Sequence, residues 1–569
     1  MYNNTKLIQK KRLAMTYPYD NLENFTLKSL IDRSVAMYPN EPALAKVGQE
    51  AMSYDDLRIQ IQNTITILHE NGIKKGDKVA ILSENMPNWG IAYLSITYFG
   101  AVVVPILPDF HKSDVHHIIH HSEAKAIFVS DKHLSTIEEL NDSTLHFVIK
   151  LDELEIIPSL TNHSYISKIK QKLTSSKELN VPKEDDMAAL LYTSGTTGNS
   201  KGVMLSHKNL TTNALSTYSK IEILPDDVFL SILPLAHTLE CTVGLLVPLL
   251  HGASVVYIDK APTPSVLLKA FSIVKPTMMV SVPLIIEKIY KNKVLPKFTG
   301  TFLMRTLYNI PFFRKKLNKI AGKKLIETFG GRVRFFGIGG AGLSPYVEEF
   351  LKEAEFPYII GYGLTETAPL LAGTVLGSKI KLKSTGTVFP YVEVKVKEID
   401  PLTGSGELLF KSPSLMMGYY KDEKQSAEVM EDGWFKSGDL GYVDEDGYIF
   451  ISGRSKNVII GSGGENIFPE QIEATINQHE AVLDSLVLMR DDRLIAKIHL
   501  DYELIDTMFQ ADNLPDAEVK EKINELLEEM RQDVNTKVAT YAKMVKFVEQ
   551  IEPFIKTPTK KIKRFLYTE

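Results

Sequence analysis

Residues 192–203 read Tyr-Thr-Ser-Gly-Thr-Thr-Gly-Asn-Ser-Lys-Gly-Val, directly after the apolar run Met187 to Leu191. Thr193, Ser194, Gly195, Thr196, Thr197 and Gly198 combine two glycines with four hydroxyl residues. A turn so rich in backbone N–H and O–H donors can wrap phosphate oxygens, and Lys201 can add a point charge. The plainer alternative is a Ser/Thr/Gly surface loop. A Walker A loop fits badly. It needs Gly-x4-Gly-Lys-Ser/Thr leading into a helix, whereas Lys201 is followed by Gly202 and the strand-like run Val203 to His207.

Further along, Gly337-Ile-Gly339-Gly340-Ala341-Gly342 satisfies G-x-G-x-x-G between an expected strand (333–336) and helix (345–353). A dinucleotide turn also wants an acidic residue ending the next strand, but that strand (357–360) ends in Gly361 and Tyr362. A nicotinamide oxidoreductase would rest on this turn alone. Close backbone approach to a flat ligand is the other use for such glycines. In Gly361-Tyr362-Gly363-Leu-Thr365-Glu366-Thr367, a tyrosine between glycines can offer a ring face to a base. Thr365 and Glu366 can offer oxygens to a phosphate and to Mg²⁺, or Thr365 can simply cap a short helix. Asp439, in Trp434-Phe-Lys-Ser-Gly-Asp-Leu-Gly441, suits a ribose diol or an ordinary turn. Gly453-Arg454-Ser-Lys456 and Gly463 to Pro469 can serve as hinges or turns. A basic strip, Thr557-Pro-Thr-Lys-Lys-Ile-Lys-Arg564, closes the chain.

The elements that must position these residues alternate. Leu57 to Glu70 reads as an amphipathic helix, followed by a strand at 78–83. The pairs 88–99 with 101–105, 114–121 with 126–130, and 264–275 with 277–282 repeat the pattern. Strands spaced by helices expect α/β architecture with helix-covered sheets. From about Val392 short strands and Gly turns expect a small antiparallel β unit, followed by an α+β tail with helices near 469–479 and 516–535. The expected division is 1–452, with a β-rich subdomain at about 392–452, and a smaller mobile domain at 453–569.

At 569 residues, 24% charged and 44% hydrophobic, the chain has globular composition, which argues against disorder and coiled coil. The net charge is −5, so no global basic bias points to nucleic acid. Residues 1–452 hold 49 basic and 49 acidic residues, and 453–569 hold 16 and 21, so the net charge sits entirely on the last part. A single cysteine, Cys241, precludes an internal disulfide and a cysteine-based metal cage. The first twenty residues lack an apolar run of signal-peptide length. The stretch 241–258 is apolar but carries His, Pro and two glycines, so it reads as a buried helix and strand. The expectation is a cytoplasmic protein, compatible with peripheral membrane contact.

Taken in order, these motifs resemble the acyl-adenylating superfamily of acyl-CoA synthetases, adenylation domains and luciferases. The resemblance runs from Leu27 to Arg564. Leu233 to Glu240 (LPLAHTLE), the long loop between Arg454 and Pro469, and Lys560 beside Lys561 look most like a long-chain fatty acid–CoA ligase. The resemblance implies ATP, Mg²⁺ and coenzyme A, an acyl-adenylate intermediate, and release of AMP and pyrophosphate. It implies that Thr193 to Gly198 and Lys201 hold the β- and γ-phosphates, and that Thr193 and Glu366 stand at Mg²⁺-associated positions. Gly339, Gly340, Ala341, Tyr362 and Gly363 would surround the nucleotide. Thr365 would contact the α-phosphate, and Asp439 and Arg454 the ribose. Lys561, with Lys560 as fallback, would reach the carboxylate and α-phosphate. His237 would lie beside the acyl carboxylate; on the residue alone it reads as a core histidine. Gly453 stands where many relatives carry an acidic hinge residue. A related variant would load a separate acyl carrier protein, and a non-catalytic nucleotide-binding scaffold would have to lack residues that are present here. His116, His117, His120 and His121 give two i,i+4 pairs that could ligate zinc. With no third ligand evident, they read as a surface helix.

Overall fold

The computed structural model describes residues 6–7, 22–140, 144–160, 181–193, 200–377, 380–461, 465–491, 493–511, 514–557 and 561–567. Ser194, Gly195, Thr196, Thr197, Gly198 and Lys560 lie outside the described residues.

An eight-stranded sheet runs in the order Gly418–Tyr419, Lys201–Ser206, Met187–Thr193, Val102–Ile106, Lys78–Leu82, Ala126–Val129, Phe147–Lys150, Glu155–Ile156. Its central strands pair in parallel. Strands covered on both faces read as continuous apolar runs, as in Lys-Val-Ala-Ile-Leu, where the last four residues are all buried. The helix Tyr54–Glu70 starts from a capping box between Ser53 and Asp56, and Pro264–Val274 starts from Thr263 with proline in its first turn.

A second sheet has nine strands: Thr387–Val388, Leu370–Gly373, Tyr358–Gly363, Phe335–Ile338, Met278–Ser281, Val228–Ser231, Ser254–Tyr257, Pro42–Lys46 and Met52–Ser53. Phe335–Ile338 pairs in parallel with both Met278–Ser281 and Tyr358–Gly363, so the segments after these strands emerge at one end of the sheet. Against this sheet lies the apolar stretch that begins at Cys241. It forms a buried π-helical turn, Glu240–Leu246, then a short helix, Val247–Leu250, then the strand Ser254–Tyr257.

The β-rich region forms a third, antiparallel sheet. Glu393–Lys397 alternates buried and more exposed residues, as does Trp434–Val443 over most of its length, the pattern of a sheet with one face against a core. An unexpected strand, Lys6–Leu7, joins its edge against Glu393–Lys397. Beyond it, a three-stranded sheet (Val482–Arg490, Arg493–Leu500, Lys546–Glu549) packs with the helix Asp516–Lys537. One hydrophobic cluster runs from Leu27 to Ile449, and a separate one from Ile467 to Phe547. Gly453 lies inside the strand Ile449–Arg454, opposite Leu440, and so belongs to the ladder of the third sheet. A Cβ there would meet Phe468 and Glu470 at 3.2 Å, so its small size permits a close approach between the two clusters' surroundings.

Candidate functional site

The Ser/Thr/Gly segment connects two antiparallel strands. Thr193 ends one strand, Lys201 begins the next, and the two are cross-strand partners at the mouth of the turn. The strand-to-helix geometry of a Walker A loop is therefore absent here. Burial and the neighbouring Lys456 pull the Lys201 ammonium below the usual lysine range, against the acids Asp422, Glu366 and Glu428. Two cations thus share one corner of the site.

Glu366 lies in a 3-10 turn, Thr365–Thr367, immediately after the strand Tyr358–Gly363. The Tyr419 hydroxyl donates to its Oε1 at 2.9 Å, and the Lys201 ammonium stands 5.7 Å from the centre of the same tyrosine ring. Tyr419 was not singled out from sequence. Its place depends on the pairing of Gly418–Tyr419 with Lys201–Ser206, a contact between distant segments. Thr367, and not Thr365, closes the turn by accepting from the Leu364 N–H at 3.0 Å. Thr365 has no capping duty there. Gly363 is required by packing, since a Cβ would come within 1.7 Å of the Pro369 carbonyl oxygen.

Tyr362, Asp439 and Arg454 form one unit. Tyr362 Oη donates to Asp439 Oδ2 at 2.6 Å, and Arg454 Nε lies 2.8 Å from Asp439 Oδ1. Asp439 sits within the strand Trp434–Val443, not at its end, and Arg454 is its cross-strand partner. Burial pushes the Asp439 carboxyl above the ordinary carboxylate range. Arg454, the Tyr362 hydroxyl and Lys561 act in the opposite direction.

His237 lies one turn before the π-helical segment. Its Nδ1 accepts from the Leu239 N–H at 3.2 Å, which leaves Nε2 as the protonated nitrogen of the neutral ring. Burial and then Lys561 lower its pKa to about 4, so the ring is neutral at pH 7. Glu240 is 1% exposed, and burial raises its pKa to about 8. Gly244 makes room for it, since a Cβ would meet its carboxyl carbon at 2.8 Å. Cys241 is buried next to these residues, and burial pushes its thiol up to about 12, so it behaves as a small apolar residue.

Between the π-helical turn and the nine-stranded sheet runs an apolar cavity. Gly339, Gly361 and Leu239 line it, with Val243, Val247 and Phe335 further along. Glycines clear the way: a Cβ on Gly339 would meet Leu239 at 3.1 Å, and one on Gly337 would meet the Phe335 ring at 2.8 Å. Lys220 also lines it, with its ammonium held by Thr387 O and Oγ1, each at 2.9 Å.

Lys561 comes from the far end of the chain. Thr557 Oγ1 accepts from the Lys561 N–H at 3.1 Å, and the Thr557 N–H donates to Lys561 O at 2.8 Å. The Lys561 residue is exposed to solvent. Burial and Arg454 lower its pKa, while Asp439 and Glu366 oppose the shift. Lys561 therefore lies near enough to Arg454, Asp439, Glu366 and His237 for their charges to interact.

Two other sequence features resolve differently. In Gly337 to Gly342, Gly340 adopts a left-handed φ of +83°, and Gly342 has no atom within 4 Å of a Cβ. The helix begins only at Pro345. A dinucleotide turn instead uses its last glycine to bring helix and strand together. The histidines lie on the helix Lys112–Ser122, with His117 and His120 exposed. His116 Nε2 bonds to Thr136 O at 2.7 Å and His121 Nδ1 to Tyr192 Oη at 2.7 Å. Among the described residues no group of three or more His, Cys, Asp or Glu is placed to hold a metal ion, and no helix is long and apolar enough to cross a membrane.

Comparison with known proteins finds relatives over most of the chain. A peroxisomal long chain acyl-CoA synthetase 6 from Arabidopsis thaliana is 30% identical over 87% of this chain and 77% of its own. A long-chain-fatty-acid–CoA ligase from Bacillus subtilis is 26% identical over 84% and 86%. The structure of ATP-bound MatB from Rhodopseudomonas palustris superposes with a TM-score of 0.73 at 22% identity, covering 95% of this chain and 98% of that one. Residues 31–420, more than half of the chain, match the AMP-binding enzyme family, and this chain belongs to that family.

Proposed function

We propose that the chain joins a long-chain fatty acid to coenzyme A in two steps at this one cleft. A fatty acid carboxylate oxygen attacks the α-phosphorus of ATP, the bond to the leaving pyrophosphate breaks, and an acyl-adenylate forms. The thiol sulfur of coenzyme A then attacks the acyl carbonyl carbon, the carbon–oxygen bond to AMP breaks, and the thiol proton is released. The observation that supports this reading is the charge interaction of Lys561 with Arg454, Asp439, Glu366 and His237, together with an apolar cavity lined by Leu239, two residues from His237.

Two anions must meet in the first step, so cations have to be in place where charge develops. Lys201 and Lys456 serve the outer phosphates. Lys561 spans the carboxylate and the α-phosphate. Asp439, fixed by Arg454 and Tyr362, takes the ribose hydroxyls, while Tyr362 and the glycines at 339, 340 and 363, with Ala341, border the base. Neutral His237 can donate from Nε2 to the carboxylate without adding a charge. The acyl chain lies in the cavity, where the Phe335 ring packs against Gly337. The names of the Arabidopsis and Bacillus relatives support a long-chain acid.

Mg²⁺ suits the donors present. It takes one or two carboxylates and fills its remaining positions with phosphate oxygens and water. Glu366, steadied by Tyr419, and the Thr193 hydroxyl would hold it, and it would neutralise the charge of the phosphates. Incubation with ATP, palmitate and coenzyme A should yield AMP, pyrophosphate and acyl-CoA in equal amounts. Release of ADP would contradict the reading.

A further inference from the structure

Between the strands Met278–Ser281 and Phe335–Ile338 the chain makes a helical excursion. From residue 288 to 326 it carries eleven basic residues and no aspartate or glutamate. Elsewhere 54 basic residues face all 70 acidic ones, so this basicity is local. The same stretch exposes large apolar side chains. Phe302 is 86% exposed, Leu303 68%, Ile320 65% and Phe312 61%, four of the six described large hydrophobics above 60%.

Both features share a face on the helix Pro311–Thr328. Its inner side buries Asn318, Gly322 and Leu325, and Gly322 lies so close to the body that a Cβ would meet the Ala354 carbonyl at 2.3 Å. Its outer side carries Phe312, Lys316, Ile320, Lys323 and Lys324 at i,i+3 and i,i+4 spacing. The Lys316 ammonium stands 4.4 Å from the centre of the Phe312 ring. Arg314 pairs with Glu349 and Glu353, and Lys319 with Glu355. Lys316, Lys323 and Lys324 have no carboxylate partner among the described residues.

Exposed aromatics beside uncompensated lysines suit the boundary of an anionic bilayer. There apolar side chains enter the acyl region and cations stay at the level of the phosphates. The chain's own longer undescribed segments do not complement the face. Residues 8–21 carry three basic residues and one acidic, and residues 161–180 four and one. We propose that this face docks on an anionic lipid bilayer through Phe312 and Ile320, flanked by Lys316, Lys323 and Lys324, with the exposed Phe302 and Leu303 of the adjoining helix Phe302–Tyr308 adding apolar anchors.

The test is sedimentation of the full chain with vesicles of phosphatidylcholine alone and with phosphatidylglycerol added. ATP and coenzyme A are omitted, so the outcome is independent of the ligase reading. Binding should require the anionic lipid and weaken with salt. A Lys316→Glu/Lys323→Glu/Lys324→Glu variant should lower the partition coefficient by on the order of a hundredfold. Phe302→Ser/Leu303→Ser/Phe312→Ser should also lose binding, and both variants should unfold at the parent's temperature. Absence of binding, equal binding to neutral vesicles, or binding unchanged in both variants would overturn the proposal. So would self-association, or capture of an acidic protein, lost in these variants while vesicle binding persists.

Discussion

At the scale of single residues, Lys561 separates the two half-reactions. On the proposed mechanism its ammonium is needed where carboxylate and α-phosphate meet, and the thiol step has no such meeting of anions. Lys561→Ala should slow adenylation by about a thousandfold, the loss of one charge contact of about 4 kcal/mol at an effective dielectric of about 20. Thioester formation from supplied acyl-adenylate should be largely spared. Equal loss in both half-reactions, measured by single-turnover kinetics, would show that Lys561 acts on the whole fold instead. Much of this residue layer was legible because the motifs are local: Gly361 to Thr367 stays contiguous in space, and Asp439 and Arg454 fall on adjacent strands. Tyr419 was not legible, because its hydroxyl reaches Glu366 only through pairing of segments far apart in sequence.

Among the elements, the π-helical turn Glu240–Leu246 does two jobs: it walls the cavity and holds a buried acid. The folded pKa of Glu240, about 8, lies above the ordinary glutamate value of 4.5, so the folded state keeps a proton that the unfolded chain releases. Its contribution is full below about pH 4.5 and is lost as pH rises toward about 8. Glu240→Gln should flatten the stability curve across that window, by a few kcal/mol relative to the parent. An unchanged slope in urea titrations at several pH values would mean that Glu240 is not held protonated. The alternation of strands and helices in the large sheets could be read in advance from periodicity. The π-helical turn could not, since its mostly apolar run of seven residues carries no period. The strand Lys6–Leu7 also escaped notice, because two residues are too few for a pattern.

For the whole molecule, the account joins two cores through a short connection. The Lys291 ammonium reaches across to the carbonyls of His479 and Val482, at 3.0 and 2.8 Å, and Asn466 Nδ2 reaches Asp400 Oδ2 at 2.7 Å. We propose that residues 453–569 act as a lid, held by such polar contacts, that brings Lys561 in for one step and withdraws it for the next. Residues 1–452 are neutral in sequence, and residues 453–569 are acidic with a basic end. The central claim is that the fatty acid carboxylate becomes bonded to the α-phosphorus. A fatty acid whose carboxylate carries a heavy-oxygen label tests this directly, with mass spectrometry of the nucleotide product after coenzyme A has completed the reaction. The account predicts that AMP acquires a labelled oxygen from the acid; AMP formed without label would contradict it.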